Sequence, residues 1–193
     1  MPQRIPLILA SASPRRRQLL TEAGYVFEVD PSGIDEPEPA GPMDVRIYVA
    51  ELAWRKAFEV GARHPNGLIL AADTSCAVAG EILNKPIDRE DAERMIRLQE
   101  GRNTDVVTGL VLYRPDRGEW VAALETSVVH FRHLTDAERT DHLDSKRWEG
   151  KAGAYGVQDQ DRYIEVVSGS WSNVVGLPME RLASLLKDHP GLA

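Results

Sequence analysis

A serine, a proline and three arginines stand together near the start of the chain, in Leu7-Ile8-Leu9-Ala10-Ser11-Ala12-Ser13-Pro14-Arg15-Arg16-Arg17. The apolar run is of strand type, the small residues break it, and Ser13 with Pro14 has the form of an N-cap and a first helical position. At about 100° per residue, Arg16 falls in the middle of the stripe made by Leu19, Leu20 and Ala23, Arg15 at its border and Arg17 on the far side. Two guanidiniums then lean over a helix N-terminus that already carries positive partial charge. That arrangement suits a phosphate; a solvated basic turn is the plainer reading, and both stand at this point.

Acids and lysines elsewhere could answer such a cluster. Asp73 follows the continuous apolar run Leu68-Ile69-Leu70-Ala71-Ala72, which reads as a central strand buried on both faces. A carboxylate is therefore expected at the carboxyl end of that strand, where open α/β sheets place ligands. Lys56 lies within the stripe Val45, Val49, Leu52, Ala53 and Val60 of a helix expected from about Asp44 to Ala62. It either snorkels to the edge of the core or turns its ammonium into a cleft. Lys85 is fixed between Asn84 and Pro86, and Asp35 and Glu36 sit in a proline-stiffened loop where solvated acid is the ordinary reading.

The elements that must position these groups follow from pattern. Tyr25 to Asp30 alternates as a strand, Ser75 to Leu83 reads as a hairpin turning at Ala79-Gly80, and Asp88 caps a helix closed by Gly101. Thr104 to Tyr113 and Trp120 to Phe131 are long strands joined by Pro115-Asp116-Arg117-Gly118, and Thr135 with Glu138 makes a capping box. Glu149 to Gln158 is glycine-dense, a hairpin is expected around Gly169, and Pro178 starts a last helix. His130 and His133 fall on opposite sides of a strand and cannot share a metal. Strands and helices interleave throughout, which implies α/β or α+β architecture with a partly antiparallel sheet. Walker A, G-x-G-x-x-G and serine-elbow patterns are missing from the sequence.

Composition narrows the function. A length of 193 residues fits one domain, 1–193, and 42% hydrophobic with 27% charged residues is ordinary for a soluble globular protein. A net charge of −7 argues against a general nucleic-acid binder, so a phosphate-bearing ligand should be small and held by a local cluster of cations. Cys76 is the single cysteine, which excludes a disulfide framework, and no apolar run approaches membrane-spanning length. A cytoplasmic setting is expected.

Four pieces together resemble the Maf family of nucleoside triphosphate pyrophosphatases: Leu9-Ala10-Ser11-Ala12-Ser13-Pro14-Arg15-Arg16, Ala72-Asp73-Thr74, Glu81-Ile82-Leu83-Asn84-Lys85-Pro86, and Lys151-Ala152-Gly153-Ala154-Tyr155-Gly156-Val157-Gln158. The closing Asn173-Val174-Val175-Gly176-Leu177-Pro178 fits as well. The resemblance implies a Maf/inosine-triphosphatase-like fold, an elongated mixed sheet flanked by helices with two lobes around a central cleft. It implies cleavage of a nucleoside triphosphate to the monophosphate and pyrophosphate with a divalent cation, Mg²⁺ or Mn²⁺. Carried over by position, Asp73, Lys56 and Lys85 are catalytic, and Ser11, Arg15, Arg16, Thr74 and Gln158 bind substrate; Glu36 and Asp73 are the oxygen ligands suited to Mg²⁺ or Mn²⁺, with Asp73 alternatively the base that activates water. Arg15, Thr74 and Gln158 match the branch that prefers dTTP and UTP. Ala72 departs from the glycine usual before Asp-Thr, and Asn84 occupies a variable position. A homodimer is a further expectation. The competing class is a non-catalytic nucleotide-binding regulator of septum formation, a role with which the family is also associated.

Overall fold

A computed structural model describes residues 5–37, 39, 43–157 and 163–192. Among the described residues, seven strands form one mixed sheet: β1 (Leu7–Leu9), β2 (Phe27–Val29), β3 (Leu68–Val78), β4 (Glu81–Leu83), β5 (Arg102–Arg114), β6 (Glu119–Phe131) and β7 (Ile164–Ser168). The order is β2-β1-β3-β5-β6-β7, with β4 on β3. β1 runs parallel to β2 and β3, and all other pairs are antiparallel. Six helices accompany it: α1 (Pro14–Glu22), α2 (Val45–Gly61), α3 (Arg89–Gln99), α4 (Asp136–Asp144), α5 (Trp171–Val175) and α6 (Met179–Asp188).

The helix starts obey local chemistry. Ser13 accepts from the Arg16 amide with Pro14 at the first turn, Asp44 caps α2, Asp88 caps α3, and Thr135 and Glu138 close a reciprocal capping box on α4. Distinct patches of core lie on the two faces of the sheet. On one face of the sheet Ala53, Ala57 and Val60 of α2 pack on Ile8, Ile69 and Ala71. On the other, Leu19 and Leu20 of α1 and Leu182 of α6 pack on Leu9, Leu70 and Ala72. Beyond the cleft, α3 and α4 close a separate core around Ile96, Leu143 and Phe131.

β3 is longer than its apolar run. The strand continues through Asp73-Thr74-Ser75 to Val78, because β5 pairs with it along Ile69 to Ala77 and satisfies the backbone groups on that edge. Asp73 therefore lies mid-strand rather than at the carboxyl end. On the opposite edge β3 has two short partners: β1 covers Leu68 to Leu70 and β4 covers Cys76 to Val78. The stretch between them, Ala71 to Ser75, is an open edge, and the functional residues gather there. Directly across from Asp73 on β5 stands Gly109, where a Cβ would come within 2.5 Å of the Val49 carbonyl oxygen of α2. Its missing side chain is what lets α2 lie this close to the sheet.

The expected hairpin around Gly169 does not form. β7 pairs with β6, and Gly169 (φ 90°) turns the chain instead into the short helix α5, which Ser170 caps through the Asn173 amide. The strand expected over Tyr25 to Asp30 is confined to Phe27–Val29.

Candidate active site

Alternation along β3 sends Asp73 and Ser75 to the α2 face and Thr74 to the α1 face. On the α2 face Lys56, buried at 7% exposure, sets its ammonium 2.6 Å from Asp73 Oδ1 and 2.6 Å from Glu36 Oε1. The two carboxylate oxygens thus lie no farther apart than twice that distance. Lys85 Nζ reaches Glu36 Oε2 at 3.4 Å from the solvent side. Desolvation pushes the Glu36 carboxyl up, but hydrogen bonding and charge from Lys56, joined by Lys85, outweigh it and hold the group below its ordinary range. The sequence left Lys56 between snorkelling and facing a cleft; its ammonium faces the cleft.

On the α1 face Arg16 is held by neutral oxygens. Its Nε donates to the Gly176 carbonyl at 2.8 Å, Nη1 to the Ala72 carbonyl at 2.8 Å and to Ser11 Oγ at 3.1 Å, and Nη2 to Thr74 Oγ1 at 3.2 Å. The Ala72 carbonyl belongs to the open edge of β3, so Arg16 satisfies an acceptor that a neighbouring strand would otherwise take. Thr74 Oγ1 also lies 2.9 Å from Thr108 Oγ1 and 3.3 Å from the Gly176 carbonyl. Burial lowers the Arg16 guanidinium from its ordinary value, with Asp73 acting in the opposite sense. It remains charged. Arg15, the residue before it in the first turn of α1, donates to the Gly150 carbonyl at 3.1 Å and ties α1 to the glycine-dense loop.

That loop is clamped by three buried side chains that sequence reasoning passed over. Cys76 Sγ approaches the Ala152 carbonyl at 3.6 Å, Gln99 Nε2 donates to the Gly153 carbonyl at 2.7 Å, and His142 Nε2 lies 3.0 Å from the Ala154 carbonyl. Burial pushes the Cys76 thiol up to about 12, which keeps it a proton donor. Backbone carbonyls carry no residue identity, so no motif could announce these partners.

These groups line a cleft of about 580 Å³, a size typical of small-molecule sites. Ser11, Arg15, Arg16, Glu36, Lys56, Asp73, Thr74 and Lys85 all face it. Gln158 lies outside the described residues. Ala72, the departure from glycine, is fully buried in the α1-side core, and its methyl is accommodated there. Among the described residues no group of three or more His, Cys, Asp or Glu converges into a metal cage. Two carboxylates around one ammonium instead suit a hard cation that keeps several waters and takes its remaining oxygens from a substrate. No helix among the described residues is long and apolar enough to cross a membrane.

Comparison with known proteins agrees with this geometry. The Maf-like protein family matches residues 6–189. The chain is 50% identical over 189 residues to a dTTP/UTP pyrophosphatase of Rhodopirellula baltica, covering 94% of this chain and 81% of that protein. It is 40% identical over 186 residues to a dTTP/UTP pyrophosphatase of Bdellovibrio bacteriovorus, covering 93% and 96%. A third dTTP/UTP pyrophosphatase, from Myxococcus xanthus, is 42% identical over 182 residues, covering 94% and 91%. A match of that extent, on a fold whose cleft gathers the same motifs, has one meaning: the chain belongs to the Maf family.

Proposed function

We propose that the protein is a nucleoside triphosphate pyrophosphatase acting on dTTP and UTP, and that its single domain works in the cytoplasm with a divalent cation, Mg²⁺ or Mn²⁺. The observation that carries this reading is the Glu36–Lys56–Asp73 chain set across an open strand edge from Arg16, inside one cleft. The relatives' shared name supplies the substrate class. The partner is a nucleotide rather than a nucleic acid, and a homodimer is proposed as the assembled form.

Hydrolysis between the α and β phosphates needs positioning and charge stabilisation more than covalent help. Glu36 and Asp73 would hold the cation, which when bound would supply positive charge against the phosphates. Asp73 takes a proton from water as the water oxygen bonds to the α phosphorus. The bond from that phosphorus to the bridging oxygen breaks, and pyrophosphate leaves with the electron pair. Lys56 holds both carboxylates in register, Lys85 and Arg15 face the charge that develops, and Arg16 fixes the strand edge while adding its own positive field.

The test is product identity. Purified protein with dTTP or UTP and Mn²⁺ should release pyrophosphate and the monophosphate, and Asp73→Asn should lower kcat by about 10²–10⁴-fold, the range for a lost acid–base group. Orthophosphate as the primary product, or nucleotide binding without turnover, would reject the reading.

A further inference from the structure

Glu36 is carried by a loop, not by a helix or strand, yet it must face Asp73 across the cleft. The entrance of that loop is tied to the end of α2, where Arg63 donates to the Pro31 carbonyl at 3.1 Å and the Gly33 amide donates to Glu59 Oε2 at 3.3 Å. Its exit is tied at one residue beyond Glu36. The Tyr48 hydroxyl donates to the Pro37 carbonyl at 3.0 Å, and the same hydroxyl accepts from Asn84 Nδ2 at 2.9 Å. Asn84 Oδ1 in turn accepts from Ser75 Oγ at 3.1 Å, and Ser75 stands two residues along β3 from Asp73, on the same face. A continuous path of hydrogen bonds therefore runs from the strand that carries one carboxylate to the loop that carries the other. Tyr48 and Ser75 are buried at 6% and 2% exposure, so those two links of the path are shielded from water, while Asn84 is half-buried and the Pro37 end is exposed.

We propose that Tyr48, oriented by Asn84 and Ser75, is a positioning residue that sets the Glu36 carboxylate opposite Asp73 and thereby tunes the affinity of the site for its divalent cation. This rests on the reading of Glu36 and Asp73 as the cation's carboxylates. It gives a role to Asn84, which sequence resemblance left as a variable position. The physical basis is that groups bonded behind a ligand fix its direction, and their loss weakens metal binding by about 10–100-fold while leaving the ligands in place. Tyr48 suits the task because its ring packs with Val49, Leu52 and Val107 and leaves only the hydroxyl to be aimed.

Tyr48→Phe tests it, since the ring and its packing remain. Mn²⁺ bound to the full chain is counted by electron paramagnetic resonance of the free ion, and the Mn²⁺ concentration for half-maximal pyrophosphate release is measured beside it. Both constants should rise about tenfold, kcat at saturating Mn²⁺ should recover most of the wild-type value, and the melting temperature should stay close to wild type. Asn84→Ala should move both constants the same way. Glu36→Gln is the control for the underlying reading. If Glu36→Gln weakens Mn²⁺ binding and Tyr48→Phe leaves both constants within twofold of wild type, the positioning role is wrong and the cation reading stands. If Glu36→Gln also leaves them unchanged, the cation reading itself fails. A loss of kcat and melting temperature in Tyr48→Phe with an unmoved Mn²⁺ constant would mark Tyr48 as merely structural.

Discussion

Asp73 and Thr74 are neighbours on one strand, yet they belong to two differently built halves of the cleft. On the α2 face the cation is surrounded by acid: Lys56 touches Asp73 and Glu36 and its charge is more than spent. On the α1 face the cation is surrounded by neutral oxygens: the described partners of Arg16 are two carbonyls and two hydroxyls, so its positive charge persists as a field in the cleft. The Glu36–Lys56–Asp73 trio is net negative, with Lys85 balancing it only from the solvent side, and is suited to a metal; the second half is net positive and suited to phosphate. A triphosphate with its cation has both signs, and one strand edge presents both. The type of cation follows the task, a compact ammonium where two carboxylates must share one charge and a planar fork where several acceptors must be joined.

The contrast breaks most sharply at Lys56. Lys56→Met leaves two carboxylates facing each other with no shared cation, one of them buried. Turnover should fall by about two to three orders of magnitude, and unfolding free energy by about 3 kcal/mol at neutral pH. A melting temperature at or above wild type would show that the pair contributes nothing to the fold. Arg16→Lys is the milder probe. The charge stays while the fork is lost, so acceptors among Gly176, Ala72, Ser11 and Thr74 go unfilled. Stability should drop by about 1.5–3 kcal/mol and kcat/KM by roughly tenfold. If both constants match wild type, Arg16 serves by charge alone.

The smallest expected effect is a difference in pH response. The Glu36 carboxyl lies below its ordinary value of 4.5 in the folded protein. Its ion pairs therefore stabilise fully above the unfolded-chain value, and that contribution is lost as pH falls through the lower folded value. The melting-temperature gap between wild type and Glu36→Gln should be widest near neutrality and shrink in acid. The gap for Arg16→Lys should stay flat over the same range, since both side chains there remain charged. Parallel curves for the two variants would erase the distinction between the halves.

Much of this was legible from residue types and spacing. Ser13-Pro14 announced α1, the stripe around Lys56 announced a lysine pressed toward the core, and the Asp88 and Thr135 caps held. Legibility failed where a partner has no side-chain signature. The apolar run ends at Ala72, but pairing to β5 carries the strand on through three polar residues, two of which bond across to Thr108 and Asn84. The Arg16 contacts to Ala72 and Gly176 are to carbonyls, which every residue possesses. Around Gly169 the same letters serve for a hairpin or for a capped helix, and only the neighbouring strand decides. Tyr48 was hidden by its own hydrophobicity, since a ring on an apolar helix face reads as core whatever its hydroxyl reaches.

The glycine opposite Asp73 has a consequence for how this cleft can drift over generations. At position 109 any side chain meets the backbone of α2, and that helix carries both Lys56 and Tyr48. Substitution there is not one step but an ordered pair: the helix must first find a new seat, and only then does another residue fit. Every such seat would move the ammonium and the hydroxyl together, away from the two carboxylates they serve. Clearance at one backbone atom thus limits which sequences are reachable from this one, far more tightly than the chemistry of the carboxylates themselves.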